Sequence, residues 1–373
     1  MPYKTLLCLL LALCPAAFSE PNAGDEAGEA DKIVAAPMEN FTDGLSWNVF
    51  VDTYYAWDFN RPHDRERAFT TQPLRHNEFS LNLGLIEASY ESEHVRGHFG
   101  LQTGSYVQSN LAAEPPLLQP IFAASGGVRL WDGIWLDAGV MPSHIGAEAI
   151  LSADNWTYSR SLVADYSPYF ETGVKLSGSW GNISAAALLL NGWQNIQDNN
   201  ASKALGTQLS WQANEHLSLN WSSFAGNEAP DDQPAQWRLF NDFYAIYALL
   251  PQLDLMAVFD LGLQQRPAGG MAPWWGTSLQ ARWAFAPRWA LAGRLEYFSD
   301  PEQILAETGT PNGFQAGGAS LNLDYAFSPH ALWRIEGRIL GARDAIFPTA
   351  VADQPSPLNA MLVTSLTLRF GQP

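Results

Sequence analysis

The chain has 373 residues and carries 38 acidic against 20 basic side chains, a formal net charge of −18 at pH 7. This balance argues against a nucleic-acid partner, because contacts to phosphates need clustered lysine and arginine. The 15 tryptophans, 12 tyrosines and 19 phenylalanines make the chain unusually aromatic, as expected of a protein with aromatic belts at both membrane interfaces.

The N-terminal residues 1–19 predict an exported protein. A short basic start ends at Lys4, an apolar run follows, and Ala17-Phe18-Ser19 offers a small-x-small cleavage motif. This pattern is typical of a secretory signal peptide cut before Glu20. The apolar run is too short for a permanent helical span, which needs roughly 20 apolar residues. Both cysteines, Cys8 and Cys14, fall in this leader, so we expect a mature chain without cysteine.

Residues 20–43 are small, acidic and without a sustained period. We interpret them as a flexible periplasmic lead-in. A short helix or plug is the alternative. The remaining residues 44–373 then form one domain.

From residue 45 onward, short segments alternate apolar and polar positions and are joined by connections that are alternately tight and long. This pattern predicts an all-β fold, a transmembrane antiparallel up-and-down β-barrel. We place about sixteen strands, at 45–57, 77–91, 94–106, 123–131, 134–141, 169–180, 183–192, 202–213, 216–226, 238–249, 252–264, 273–285, 288–299, 314–326, 330–341 and 358–370.

The segment 331–339 shows how faces are assigned. Trp333, Ile335 and Ile339 share one phase, and Arg334, Glu336 and Arg338 share the other, because successive strand side chains point to opposite faces. The first set suits lipid and the second suits water. The lipid-facing side of strands 183–192 and 238–249 is not assigned, because apolar residues occupy both of their phases. The tight turns are assigned to the periplasm, and the long connections to the outside.

Several motifs resemble those of the beta-barrel porin-2 (OmpL-like) family of Gram-negative outer-membrane proteins. They are the stretch 152–161, which reads SADNWTYSRS, its continuation SPYF at 167–170, the segment NEFSLN at 77–82 and LLLNGW at 188–193. The resemblance covers essentially the whole mature chain. It implies an outer-membrane, porin-like channel and names no solute.

The connection 142–168 is the third long one and is less polar than a solvated loop, with Ile145, Leu151, Trp156, Leu162 and Val163 among its residues. We therefore predict that it folds into the barrel and narrows the pore. The alternative is a packed external Ω-loop.

The pore-lining hypothesis combines the charges of this connection with arginines on the inward phases of the late strands. Its residues are Glu148, Asp154, Arg160, Asp165, Arg282, Arg294, Arg334 and Arg338. A basic wall opposite an acidic loop would order passing polar solutes. The alternative is that these charges pair with neighbours across the strands.

The sequence predicts no catalytic residue, metal ligand or cofactor. His98 is on the lumen phase, and the histidines of the predicted outer connections show no Ser-His-Asp or metal-ligand spacing. We therefore predict an outer-membrane porin for passive diffusion of small polar solutes or ions. A structural or adhesive barrel without an open pore is the main alternative, and a barrel enzyme is a further one.

The expected partners are outer-membrane lipid, lipopolysaccharide and the barrel-assembly machinery, which reads a terminal aromatic such as Phe370. The sequence allows a homo-oligomer and does not distinguish monomer from trimer.

Overall fold

The computed structural model describes residues 44–372, and the predicted signal peptide and lead-in lie outside this range. Sixteen strands pair antiparallel in chain order, and β1 pairs with β16 to close the barrel. The strands are β1 Leu45–Asp58, β2 Phe79–Glu91, β3 Val95–Thr103, β4 Ile121–Trp131, β5 Ile134–Pro142, β6 Phe170–Trp180, β7 Ile183–Leu190, β8 Ala204–Gln212, β9 Leu217–Asn227, β10 Trp237–Leu250, β11 Leu253–Gln265, β12 Met271–Ala286, β13 Trp289–Asp300, β14 Phe314–Ser328, β15 Ala331–Ala342 and β16 Leu358–Gln372.

The predicted fold class and strand count are confirmed, and the predicted strand ends lie within two residues of the observed ones except at the end of the third strand. The third strand was expected to continue to residue 106, but β3 ends at Thr103 and a short helix, α1, covers Ser105–Asn110. The cause is Gly104, whose φ of 130° lies in a region that glycine adopts most easily. A second short helix, α2, covers Leu162–Asp165. None of the helices between residues 44 and 372 is long and apolar enough to cross a membrane.

The strands separate an apolar exterior from a charged interior. On the outer face Leu295, Leu321 and Ile339 keep more than half of their surface exposed, at 62%, 59% and 54%. Their neighbours Arg294 and Glu336 point inward and are buried. Because strand side chains alternate between faces, this arrangement repeats around the barrel and presents an apolar band to lipid.

The short turns lie together at one end of the barrel. Gly133 and Gly181 occupy two of them with φ of 71° and 60°, values that a tight turn needs and glycine accepts. In bacterial outer-membrane barrels the short turns face the periplasm. The long connections lie at the opposite end, and one of them returns into the interior.

The returning connection comprises residues 143–169, between β5 and β6, and is called here the inner loop. Ile145, Leu162 and Val163 of this loop are buried in an apolar cluster with inward-facing residues of β7 to β15. Ile150 and Tyr169 are buried in a second cluster with residues of β1, β2, β4, β5 and β6. The interior of the barrel therefore contains a packed core, to which both the loop and the strands contribute. The prediction that this connection folds inward is confirmed.

Candidate pore and its constriction

The inner loop begins with an anchor at His144. Its Nδ1 lies 2.7 Å from a Glu171 carboxylate oxygen, and its Nε2 lies 2.9 Å from the Ser223 carbonyl oxygen. A carbonyl oxygen can only accept, so Nε2 must donate. Burial lowers the pKa of His144, but the Glu171 carboxylate and the Ser223 carbonyl outweigh it and raise that pKa above its ordinary value. The geometry and the pKa direction together favour an imidazolium that donates from both nitrogens.

Two inward-facing glycines make room for the inner loop. A Cβ on Gly206 of β8 would lie 2.7 Å from the His144 ring, and a Cβ on Gly276 of β12 would lie 2.6 Å from a Val163 methyl carbon. Both distances are shorter than real Cβ contacts allow. The loop can approach these strands closely only because the side chains are missing.

The central anchor joins the inner loop to the late wall, defined here as the inward faces of β12–β15. Arg294 of β13 donates from Nη1 to the Thr157 hydroxyl and the Ser159 carbonyl, both at 2.6 Å. Glu336 of β15 accepts from the Ser159 backbone N–H and hydroxyl, also at 2.6 Å. All of these groups are buried, so each charge is satisfied by the loop rather than by water.

Carboxylates around Arg294 complete this network. Its nitrogens lie 3.4 Å from Glu296, 3.7 Å from Glu336 and 4.0 Å from Glu148. Glu296 also accepts two hydrogen bonds from Arg338, at 2.9 and 3.0 Å, and one from the Leu162 N–H at 2.7 Å. Buried charges are tolerated when they are paired and hydrogen-bonded in this way.

A third anchor crosses the seam where the first and last strands meet. Arg334 of β15 donates to the Ser152 and Asn155 carbonyl oxygens at 2.5 Å. The Ser152 hydroxyl donates to Asp52 of β1 at 2.8 Å. Ser152 therefore contacts strands on both sides of the β1–β16 junction.

Arg160 stabilises the fold of the inner loop itself. Its guanidinium lies 4.6 Å from the Tyr106 ring centroid and 4.5 Å from that of Tyr169. It also donates to the Ile150 carbonyl oxygen at 2.5 Å. A buried cation between two aromatic faces gains cation–π attraction that water does not screen.

The eight predicted pore-lining residues thus fall into two groups. Six carry side chains that are bonded to other protein groups inside the barrel, on the inner loop, on a strand or on the connection between β1 and β2: Glu148, Arg160, Asp165, Arg294, Arg334 and Arg338. Asp154 instead keeps 44% of its side chain exposed beside Arg369, and Arg282 lines a cavity under the loop.

Two of the cavities inside the barrel near its short-turn end border charged residues of opposite walls. One, of about 330 Å³, lies against the early wall, defined here as the inward faces of β2–β6, and is lined by Arg96, His98, Ser125, Asp137 and Lys175 among others. The other, of about 310 Å³, lies under the inner loop against the late wall. It is called here the late-wall cavity.

Charge on the early wall is largely paired. Arg96 forms a bidentate contact with Asp137, at 2.6 and 2.5 Å, and His98 lies 2.8 Å from Glu87. Lys175 is the cross-strand partner of Asp137 in the register of β5 and β6 and makes no ion pair within 4.0 Å among the residues that the structure describes. Near the short-turn end this wall therefore presents polar and charged groups to an open cavity, whereas Arg294 and Glu336 of the late wall are buried under the inner loop.

Sequence reasoning missed the apolar part of the interior. Leu188, Phe224, Phe240 and Trp274 point inward and are buried in the cluster that holds the inner loop. The signal was present in the sequence, because the two strands with apolar residues in both phases, β7 and β10, supply Leu188 and Phe240. An apolar inward phase in a barrel strand indicates contact with an internal segment.

The comparisons with known proteins agree with this architecture. The family model described as "Putative beta-barrel porin-2, OmpL-like" matches residues 44–370. Among solved structures, the chain is similar to the anion-selective porin from Comamonas acidovorans, with 11% identity, coverage of 87% of this chain and 99% of that chain, and a TM-score of 0.59. No curated protein sequence matches the chain.

Two further structures show the same likeness. OmpF from Salmonella typhi, in complex with daunomycin, is 12% identical, with coverage of 89% of this chain and 100% of that chain and a TM-score of 0.59. The trimer form of OmpT from Vibrio cholerae is 8% identical, with coverage of 87% and 99% and a TM-score of 0.55. At such identities the likeness shows the fold. Because the family model spans nearly all of residues 44–372, the chain belongs to the beta-barrel porin-2 (OmpL-like) family and is an outer-membrane porin that crosses the bilayer as a sixteen-stranded barrel.

Proposed function

We propose that the chain forms a water-filled pore for passive diffusion of small polar solutes or ions, and that the solute path follows the early wall. The observation that carries this proposal is the unequal covering of the interior. Arg294 and Glu336 of the late wall are buried under the inner loop, whereas Arg96, His98 and Lys175 of the early wall border an open cavity. The pore is therefore off-centre in the barrel.

The inner loop acts in this proposal as a fixed constriction. Its backbone is bonded to Glu171, Arg294, Arg334 and Glu336, so the side chains that hold it are unavailable for solute contact. Of the residues predicted to line the pore, Asp154 and Arg282 remain as lining residues, and the other six support the loop. Passive transport of this kind needs no catalytic residue and no cofactor.

Cysteine accessibility in planar bilayers tests the path. Ser125→Cys lies on the early wall, Ser278→Cys lies on β12 and is fully buried, and Thr207→Cys is exposed on the outer face. We expect a charged methanethiosulfonate reagent to lower the single-channel conductance of Ser125→Cys and to leave the other two unchanged. Blocking through Ser278→Cys alone would contradict the early-wall path. Folded, inserted protein without conductance would favour the closed structural barrel.

The proposed partners follow from the outer surface of the barrel and from its structural relatives. The lipid-facing band and terminal Phe370 support contact with outer-membrane lipid, lipopolysaccharide and barrel-assembly machinery. The trimer form of the Vibrio cholerae OmpT structure supports a homo-oligomer here, which mass measurement of the detergent-solubilised protein would test.

A further inference from the structure

The late-wall cavity lies between residues of the inner loop and residues of the strands. Ala153, Asp154, Asn155 and Trp156 of the inner loop cover it, and inward-facing residues of β12–β15 surround it. Its volume of about 310 Å³ is enough for a small organic or inorganic ion with several bound waters, since one water occupies about 30 Å³ of liquid.

Two arginines of this cavity have no protein partner. Arg282 and Arg288 both line it, and within residues 44–372 neither guanidinium makes a hydrogen bond, an ion pair or a ring contact. Arg334 lines the same cavity but is bonded to Asp324 and to two loop carbonyls. Arg282 and Arg288 therefore differ from the buried arginines of the late wall in having their donors free.

The carboxylates of the cavity are already neutralised. Asp154 accepts two hydrogen bonds from Arg369, at 2.8 and 2.7 Å. Asp324 accepts from Asn322 at 2.6 Å and from Arg334 at 3.1 Å. Asp254 is the cross-strand partner of Arg282, but its carboxylate lies more than 4.0 Å from that guanidinium. The unpaired charge at the cavity is thus positive, although the chain as a whole is acidic.

Small side chains provide the space beside the two arginines. Ala284, Ala286, Ala290 and Ala326 all line the cavity at inward strand positions. The free guanidinium donors consequently face a volume that no protein side chain fills.

We propose that Arg282 and Arg288 form a binding subsite for small oxyanions that carry phosphate or carboxylate groups, at the periplasmic mouth of the barrel. Guanidinium groups bind such anions through paired, charge-assisted hydrogen bonds. Resting on the proposed channel function, the subsite would concentrate anionic solutes at the periplasmic mouth of the pore.

Binding and conductance are measured on the same full-length protein in detergent and in bilayers. The probe is inorganic pyrophosphate, titrated calorimetrically at low ionic strength because salt screens exposed charges. We expect the double variant Arg282→Gln/Arg288→Gln to bind the probe at least about tenfold more weakly, as two charge-assisted hydrogen-bonding groups are lost. Ala286→Glu, which places a carboxylate in the cavity and leaves both arginines in place, should weaken binding similarly.

Arg129→Gln is the matched control. Arg129 lies near the short-turn end of β4 and is bonded to Asp132 outside the late-wall cavity. Its loss lowers the net charge by one, as Ala286→Glu does, and should leave binding unchanged. Unchanged affinity in both cavity variants, or an equal loss in the control, would overturn the subsite. Pyrophosphate binding by a protein that conducts no current would refute the channel function and leave the subsite intact.

Discussion

Ser159 donates two hydrogen bonds to Glu336, from its backbone N–H and its hydroxyl, although the residues are 177 positions apart in the chain. Both distances are 2.6 Å, and the same Ser159 hydroxyl accepts from Arg294 at 2.9 Å. This contact fixes the middle of the inner loop to the barrel wall. Its removal therefore tests how firmly the constriction is held.

Glu336→Gln should loosen the inner loop. The change leaves the buried Arg294 without one of its carboxylates, and breaking one partner of a buried ion pair costs about 3 to 5 kcal/mol. In a Ser278→Cys background, we expect the rate of thiol labelling to rise by roughly 100-fold, because labelling follows the population of the opened state. Glu215→Gln, at an exposed turn, is the control. Equal labelling rates in the two variants would show that the loop does not depend on Glu336.

Gly206→Ala should displace His144. The added Cβ would lie 2.7 Å from the imidazole ring, and the ring is held on its other sides by Glu171 and Ser223. We expect larger current fluctuations in single-channel recordings. The control is Gly337→Ala, where a Cβ meets nothing within 4 Å. Equally small current fluctuations in both variants would mean that the inner loop tolerates a shift of His144.

The His144 anchor should weaken as the pH rises. The folded-state pKa is raised above 6.5 by Glu171 and Ser223, against the opposing effect of burial. Stabilisation by the imidazolium is therefore complete below the ordinary pKa and is lost as the pH rises through the folded-state value. We expect Ser278→Cys labelling, corrected for thiolate formation, to increase above pH 6.5. His144→Gln should remove this dependence.

Asp165 should give a second pH dependence at lower pH. Burial raises its pKa from 3.8 to about 6, while Arg338 and Thr71 oppose the shift. The docked inner loop therefore favours the protonated form of Asp165. The contribution of this group to loop docking is complete below pH 3.8 and is lost by about pH 6.

Asp165→Asn mimics the protonated form and keeps an oxygen that accepts from Thr71. In the Ser278→Cys background, the ratio of the labelling rate with Asp165 present to the rate with Asp165→Asn should increase as the pH rises from 4 to 6 and stay constant above that. A constant ratio over the whole range would show that Asp165 does not titrate in that window.

Much of the fold follows from local chemistry. Dyad alternation, as at Trp333, Arg334 and Ile335, defines strand faces one residue at a time, and Gly or Asn mark tight turns, so sixteen strands could be placed from the sequence. The end of β3 was missed because the φ of Gly104 depends on where α1 packs. The inward fold of the inner loop was predictable from its apolar side chains, which need a partner surface.

The site was less predictable, because a charge on an inward phase does not reveal whether water or protein covers it. Arg282 and Arg294 share the inward phase of neighbouring strands, yet one lines a cavity and the other lies at the centre of three carboxylates. The difference arises from the path of the inner loop, whose contacts to Glu296 and Glu336 are 134 and 177 residues apart in sequence. Periodicity carries no information about contacts at that separation.

The contacts of Ser152 with Asp52 and Arg334 have a consequence for assembly. The inner loop, which comes from the first half of the chain, can complete these bonds only after the N-terminal and C-terminal strands have come together. Full docking of the inner loop therefore requires a closed barrel. Once formed, the bonds would resist separation of the two edge strands, and the constriction would serve as an internal clasp for the finished barrel. A porin opened at this junction by mutation should then lose its narrow passage and its mechanical integrity together.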